Sequence, residues 1–105
     1  MSTEKRRAFG LKDLEKRMGK LTVGELLHTW RVSEEMSLKD FGKRIGMSVA
    51  NLCDIEKGRK RVSPEKAEQI AKAIGVPAAL LVRLSIEESL AAAGLRYKVE
   101  IKPAA

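Results

Sequence analysis

The chain of 105 residues is poor in cysteine, in aromatic residues and in long apolar runs. Its single cysteine, Cys53, allows no internal disulfide bond and favours a reducing compartment. Only four residues are aromatic, so we expect a core of aliphatic side chains. No stretch approaches the roughly 20 apolar residues of a membrane-spanning helix, and the N-terminus lacks the apolar segment of a secretion signal. We therefore expect a cytoplasmic protein of bacterial type without a membrane partner.

The sequence also lacks the residue patterns of the common enzyme and metal sites. It has no catalytic serine elbow, no phosphate-binding loop and no cluster of metal ligands. The single histidine, His28, lies off the apolar face of its predicted helix, and we interpret it as a surface residue. Cys53 has no second cysteine to resolve a redox reaction, so we interpret it as a small, half-buried residue. We expect no enzymatic activity, no cofactor and no metal.

The charge of the chain is strongly positive and unevenly distributed. Its 21 lysine and arginine residues and 14 aspartate and glutamate residues give a formal charge of +7 and an isoelectric point near 9.8. Residues 1–20 carry seven basic and three acidic side chains, residues 57–85 seven and two, and residues 21–56 only four and six. A basic balance points to nucleic acid, an anionic membrane surface or an acidic protein as partner. The two basic regions need separate explanations.

Cap residues, apolar spacing and glycine stops predict five helices. The first begins with a capping box formed by Thr22 and Glu25, and its apolar residues recur at helical spacing. The fifth runs from about Pro77 to Ala93 and stops at Gly94. Between them, three helices each have a serine cap and a glycine stop. These pairs are Ser37 with Gly46, Ser48 with Gly58, and Ser63 with Gly75.

The two ends of the chain have different patterns. Leu11, Leu14 and Met18 keep a helical spacing that predicts a short amphipathic helix. The segment "LRYKVEIK" instead alternates apolar and charged residues, which predicts a strand over residues 96–102. A lone strand has no backbone partner, and the simplest partner is the same strand of a second copy. The strand would then form a homodimer through its apolar residues, which are Tyr97, Val99 and Ile101. The alternative is a solvated, extended tail.

The middle of the chain has the order of a helix-turn-helix. Two short helices are separated only by "GMS", with one helix before them and two after. The predicted fold is therefore all-α, with a five-helix domain over residues 22–93. A basic extension with a short helix precedes it over residues 1–21. The dimerisation strand and tail follow over residues 94–105.

The stretch "MSLKDFGKRIGMSVANLCDIEKGRKRVSPEKAEQIAKAIGV" resembles the Xre/Cro repressor family. The resemblance rests on a small residue in the second helix, Gly42, on the turn residue Gly46, and on the ending formed by Ile55, Glu56 and Gly58. It covers residues 22 to about 76. It implies that Ser48 to Lys57 is the recognition helix and that a palindromic double-stranded operator is its ligand.

The resemblance also implies which side chains read the bases. The positions used for reading in this family hold Val49, Ala50 and Asp54, with Asn51 beside them. The valine and alanine depart from the glutamine-rich pattern common in the family, although they can still contact a thymine methyl group. Asp54 could accept from a cytosine amine, and Asn51 could contact an adenine or a phosphate. The alternative is that the two small residues are core or neutral positions.

Phosphate contacts are expected from the basic residues around the same helix. The run after the helix stop supplies three of them, and basic residues of the two helices and the serine cap add the others. The expected residues are Lys43, Arg44, Ser48, Lys57, Arg59, Lys60 and Arg61. The resemblance further implies an ion pair between Arg31 and Glu56 that orients the recognition helix.

"GKLTVGELLHTWR" and "LCDIEKGR", with the basic extension and the C-terminal strand, are similar to HigA-type antitoxins. That resemblance implies a repressor of its own operon that also neutralises a ribonuclease toxin. Two alternatives stay open. One is a stand-alone phage-like or chromosomal regulator without a toxin, and the other is a protein-interaction module that has lost DNA binding.

Overall fold

A computed structural model describes residues 21–104 of the chain. These residues form five helices and no strand. The helices are Val23–Ser33 (α1), Leu38–Ile45 (α2), Val49–Glu56 (α3), Pro64–Ile74 (α4) and Ala78–Ala92 (α5). The all-helical, five-helix prediction is confirmed for this part of the chain. The basic extension and short helix predicted over residues 1–21 lie, except for Leu21, outside the described residues.

Four of the five helices begin at the predicted cap residues. Thr22 Oγ1 accepts from the Glu25 N–H at 3.1 Å, and Glu25 Oε1 accepts from the Thr22 N–H at 3.0 Å, which completes the capping box. Ser37, Ser48 and Ser63 each accept from the N–H three residues on. These bonds occupy backbone donors that the first turn of a helix leaves without partners. Helix α5 begins after Pro77 without a side-chain cap.

The described chain divides after Lys60 into two compact units. The first unit contains α1, α2 and α3 in residues 21–60. Its core is built from one apolar face of each helix, and the ring of Trp30 stacks on that of Phe41 with centroids 5.3 Å apart. The other buried hydrophobic side chains of this unit are Leu21, Val23, Leu26, Leu27, Ile45, Leu52 and Ile55. The mainly aliphatic core predicted from composition is therefore present here with one aromatic pair.

The second unit contains α4, α5 and the C-terminal segment in residues 61–104. Helices α4 and α5 pack on each other. Their contact is aliphatic, and its buried residues include Ala67, Ile70, Ala71, Ile74, Leu81 and Leu84. None of the helices within residues 21–104 has both the length and the hydropathy needed to cross a bilayer.

The strand predicted over residues 96–102 is not formed in the described chain. Residues 95–104 have no regular secondary structure, and Tyr97 is 67% exposed while Val99 and Ile101 are half-buried. A strand is defined by its bonds to a second strand, and the described residues of one chain supply none. The Val99 N–H instead donates to Glu87 Oε2 of α5 at 2.9 Å. The described chain therefore does not support the predicted strand, and its pairing with a second copy stays a prediction.

Candidate nucleic-acid interface

Helices α2 and α3 are joined by a three-residue turn. Gly46 has a left-handed backbone, with φ of 69°, and the Met47 N–H donates to the Gly42 carbonyl at 2.8 Å. A residue with positive φ after a helix, followed by a bond back to its last turn, is the usual way to end a helix sharply. Ser48 then caps α3 at once. The "GMS" segment therefore reverses the chain between the two helices of a helix-turn-helix.

Two glycines allow backbone segments of the first unit to approach closely. A Cβ at Gly42 would lie 2.5 Å from the Met47 carbonyl oxygen, and a Cβ at Gly24 would overlap the carbonyl oxygen of Ile55. The turn therefore lies against α2, and α1 lies against the backbone of α3. Sequence reasoning identified Gly42 but missed Gly24. Its signal was a glycine inside a well-capped helix, where alanine would be intrinsically favoured by about 1 kcal/mol.

Helix α3 buries Leu52 and Ile55 and presents its other face to solvent. Val49 and Ala50 are exposed, so neither belongs to the core. Asn51 and Asp54 lie on the same side and are half-buried. The four residues predicted to read bases are Val49, Ala50, Asn51 and Asp54, and all of them reach the surface of α3.

The chain folds back along α3 after it ends. Gly58 has a φ of 77°, and its N–H donates to the Ile55 carbonyl at 3.1 Å. The carbonyl of Asp54 accepts the N–H groups of both Arg59 and Lys60, at 2.8 and 3.2 Å. This is the Schellman pattern of helix ends, in which a left-handed glycine returns the next residues to the last turn. It places two residues of the basic run beside the exposed face of α3.

The side chains complete this arrangement. Arg59 Nε donates to Asp54 Oδ1 at 2.8 Å, and Lys60 Nζ donates to Asn51 Oδ1 at 2.7 Å. The hydrogen bond to Asp54 raises the pKa of Arg59 further above its ordinary value. We name these four residues (Asn51, Asp54, Arg59 and Lys60) the α3 polar cluster. Each predicted polar base reader is thus bonded to a predicted phosphate contact. Sequence reasoning assigned the residues separately and missed the pairing.

The remaining predicted phosphate contacts lie on several parts of the chain. Lys43 and Lys57 are exposed in the first unit. Arg44 is exposed on α2, and its guanidinium carbon lies 5.5 Å from the centre of a Trp30 ring, a cation–π distance. Ser48 is exposed, and its hydroxyl oxygen accepts from the Asn51 N–H as a helix cap. The last of the set, Arg61, is exposed in the second unit.

An ion pair ties α1 to the end of α3. Arg31 Nε donates to Glu56 Oε2 at 2.8 Å and Arg31 Nη2 to Glu56 Oε1 at 3.0 Å, while Nη1 donates to the Met36 carbonyl at 3.0 Å. The two side chains are only 16% and 5% exposed. The hydrogen bond to Glu56 raises the pKa of Arg31. This bidentate geometry holds α3 in one orientation against α1.

His28 joins the same pair. Its Nδ1 lies 2.8 Å from Glu56 Oε1, although the side chain is exposed, as the sequence indicated. Burial alone would raise the pKa of Glu56, but the hydrogen bonds from Arg31 and His28 outweigh it and hold that pKa below its ordinary value. Sequence reasoning gave His28 no partner and so missed this contact. Its signal was its position one turn before Arg31.

Beside this pair lies a small open cavity of about 300 Å³. It is lined by His28, Arg31, Leu38, Cys53, Glu56 and Lys57. Cys53 is half-buried, and its Sγ lies 3.9 Å from Arg59 Nη2. Across residues 21–104, no group of three or more histidine, cysteine, aspartate or glutamate side chains is arranged to hold a metal ion.

Comparison with protein families gives one result that bears on this geometry. A family model described as a helix-turn-helix domain matches residues 22–84, more than half of the chain. The match begins at the cap of α1 and ends within α5. A search of curated proteins and a search of solved structures each find no match.

Proposed function

The chain belongs to the helix-turn-helix domain family, and from that premise we propose that it is a sequence-specific DNA-binding transcriptional repressor without enzymatic activity. The observation that carries the proposal is the exposed face of α3, which is short, capped, held by α1 and bordered by basic side chains. In helix-turn-helix proteins the second helix of the motif enters the major groove with its N-terminal residues at the base edges. Here that helix is α3, and its ligand is a double-stranded operator.

The chemistry of this face fits a duplex better than it fits a protein partner. Val49 and Ala50 at the start of α3 can contact thymine methyl groups, and Asn51 carries an amide suited to base edges. Exposed Lys43 and Lys60 supply charge for the phosphates beside the groove. Salt bridges to phosphate set the register, and the few side chains on α3 select the sequence.

The test is DNA selection with the full chain, followed by gel shifts on the selected duplex and on a scrambled one. We expect a preferred sequence, and a log–log salt slope that flattens by about one unit for each phosphate contact removed. Lys43→Ala should weaken binding to both duplexes alike. Lys39→Ala, an exposed lysine of α2 outside the predicted set, is the matched control. Binding with no sequence preference at any salt concentration would contradict the proposal.

We further propose that the repressor acts as a homodimer joined through the C-terminal segment. Apart from the Val99 N–H, no backbone group from Arg96 to Lys102 has a hydrogen-bond partner among the described residues. Leu95 and Tyr97 are exposed apolar side chains in the same segment. Strand pairing between two copies would use both features, and the two-fold axis would match a palindromic operator with half-sites about 34 Å apart. Deletion of residues 95–105 should give monomers in sedimentation, and an unchanged dimer would contradict this pairing.

The resemblance to HigA-type antitoxins supports a second activity for the same chain. We propose that it neutralises a ribonuclease toxin of a type II toxin–antitoxin pair and represses that operon in the cytoplasm, at the nucleoid. The sequence of the basic extension contains apolar residues at helical spacing, such as Leu11, Leu14 and Met18, which DNA binding would not require. Co-purification from the native operon, and toxin rescue by a chain lacking residues 1–20, test this. Operator binding without any co-purified toxin would instead favour a stand-alone regulator.

A further inference from the structure

We propose that Arg59 reads a guanine base in the major groove, and that Asp54 positions it instead of contacting a base itself. The inference rests on the DNA-binding function proposed above and deepens it. It reassigns the two residues, because the sequence alone suggested Asp54 for a base and Arg59 for a phosphate. The α3 polar cluster carries the argument.

The first step concerns the backbone of Arg59. Its N–H donates to the Asp54 carbonyl at 2.8 Å, after the left-handed turn at Gly58. Its side chain returns to the same residue, with Nε donating to Asp54 Oδ1 at 2.8 Å. Main chain and side chain are thus anchored at one residue of α3. This anchoring fixes the position of the guanidinium beside the reading helix, as direct readout of a base edge requires.

The second step concerns which edge of the guanidinium remains available. Nε is bonded to Asp54, and Nη2 faces Cys53 Sγ at 3.9 Å, so the side edge is turned toward α3. The end edge, formed by Nη1 and the second hydrogen of Nη2, has no hydrogen bond within the described chain. Two parallel N–H donors on that edge match the O6 and N7 acceptors of guanine, which is the commonest specific contact of arginine with DNA.

The third step concerns exposure and charge. The side chain of Arg59 is 58% exposed and that of Asp54 is 33% exposed, so the arginine extends further into solvent. Oδ1 of Asp54 already accepts a hydrogen bond from Arg59. The positive charge of the arginine also reduces the repulsion between this carboxylate and the DNA phosphates. An arginine held in one conformation also loses less rotamer entropy when it binds. The pair therefore presents a preorganised donor fork, with the carboxylate behind it.

The other members of the cluster do not offer such a fork. Lys60 is a point charge, and its Nζ is bonded to Asn51 Oδ1 at 2.7 Å. Asn51 needs both its oxygen and its nitrogen for a bidentate contact with adenine, and the oxygen is bonded in this structure. Within the cluster, the arginine is the side chain whose geometry is complete for bidentate base recognition before DNA arrives.

The experiment compares the wild-type full chain with three variants on its selected operator and on all single-base changes of that operator. Arg59→Lys keeps the charge and removes the fork, so it should lose about 10- to 100-fold in preference at one G·C pair in each half-site. Its binding to scrambled DNA should change less than 3-fold. Asp54→Asn should weaken preference at that same pair. Lys43→Ala, as control, should weaken all duplexes alike.

A modified base gives an independent readout. Replacing the guanine of that pair by 7-deazaguanine removes N7, and we expect it to weaken the wild-type chain but not Arg59→Lys. Sequence preferences that survive Arg59→Lys at every position would overturn the inference and leave the DNA-binding function intact. The inference would also be overturned if Asp54→Asn changed the preference at a different base pair from Arg59→Lys. A wild-type chain without any sequence preference would overturn both.

Discussion

The two units of the described chain hold their charged side chains in different ways. In the first unit, Arg31 and Glu56 meet at 2.8 Å with side chains that are almost fully buried. In the second, Glu68 and Lys72 approach only to 3.9 Å, with side chains 54% and 71% exposed. A shielded bidentate pair fixes geometry, whereas an exposed pair contributes between about 0 and 1 kcal/mol. The first unit therefore uses an ion pair to position one helix against another, whereas the pairs Glu68–Lys72 and Arg83–Glu87 of the second unit each lie within a single helix, and its helix contact is aliphatic.

The close approach of α1 to α3 predicts the largest difference in stability between variants of the two units. Gly24→Ala would place a methyl group on the Ile55 carbonyl oxygen, which cannot move aside without shifting α3. We expect a loss of about 3 kcal/mol in the free energy of unfolding. Gly75→Ala, in the second unit, meets no atom within 4 Å and is strained only by its φ of 76°. It should cost about 1 kcal/mol. Urea denaturation of both variants measures the difference, and equal losses would contradict the role of Gly24.

The next comparison sets the two ion pairs against each other. Glu56→Gln removes the charge that balances Arg31, which also bonds the Met36 carbonyl. We expect a loss of about 2 kcal/mol, since hydrogen bonds to charged groups contribute about 1.5–3 kcal/mol. Glu68→Gln is the matched control and should cost less than about 0.5 kcal/mol. The two urea midpoints give the answer. Equal losses of stability in the two variants would contradict a larger contribution from the shielded pair.

The pH dependence of that loss follows from the lowered pKa of Glu56. Because this carboxylate is harder to protonate in the fold, its contribution is fully present above its ordinary pKa of 4.5 and is lost as pH falls through the lower folded value. The destabilisation caused by Glu56→Gln should therefore shrink as the pH drops from about 7 to about 3. Arg31 stays protonated throughout that range. Urea denaturation of the variant and the wild type at several pH values measures this difference in the free energy of unfolding. A gap between variant and wild type that stayed constant with pH would contradict this origin.

Local chemistry explains what could be predicted from the sequence. The helix starts depend on bonds spanning three residues, such as that from the Asn51 N–H to Ser48, so a short motif contains both partners. The contact of Gly24 with Ile55 joins residues far apart in the chain, and no local pattern indicates which carbonyl the glycine meets. The bond between Arg59 and Asp54 spans five residues across a left-handed turn. Gly58 predicted that turn, but not the direction of the side chains.

In the C-terminal segment, a local sequence pattern was present but did not predict the contact that the segment makes. Alternation along Tyr97, Val99 and Ile101 predicted extended backbone and assumed that a strand needs only a second copy. It did not reveal that α5 offers an acceptor of its own. Glu87 is 9% exposed, and its carboxylate accepts from both Arg83 and the Val99 N–H. A charged side chain that is nearly buried must find such partners, and its bonds here fix one point of the segment.

The smallest expected effect concerns that single bond. Glu87→Ala should leave α5 intact, because its other buried residues stay in place, and should speed hydrogen exchange of the Val99 amide about 5-fold, a change near 1 kcal/mol. Arg83→Ala is the matched control, since it removes the ion pair at 3.1 Å but keeps the acceptor. Its Val99 exchange should stay at the wild-type rate.

Protein concentration makes this measurement decisive for the dimer as well. The Val99 N–H is bonded within one chain, so its protection should not vary with dilution. The N–H groups of Lys98 and Glu100 have no hydrogen-bond partner in the described chain, and in a strand they would lie on the edge opposite the Val99 N–H. If two copies pair along this edge, those amides should be protected only at concentrations where dimers form. Protection of Lys98 and Glu100 that persisted in the monomer would contradict pairing between copies, and Val99 protection unaffected by Glu87→Ala would contradict the bond to α5.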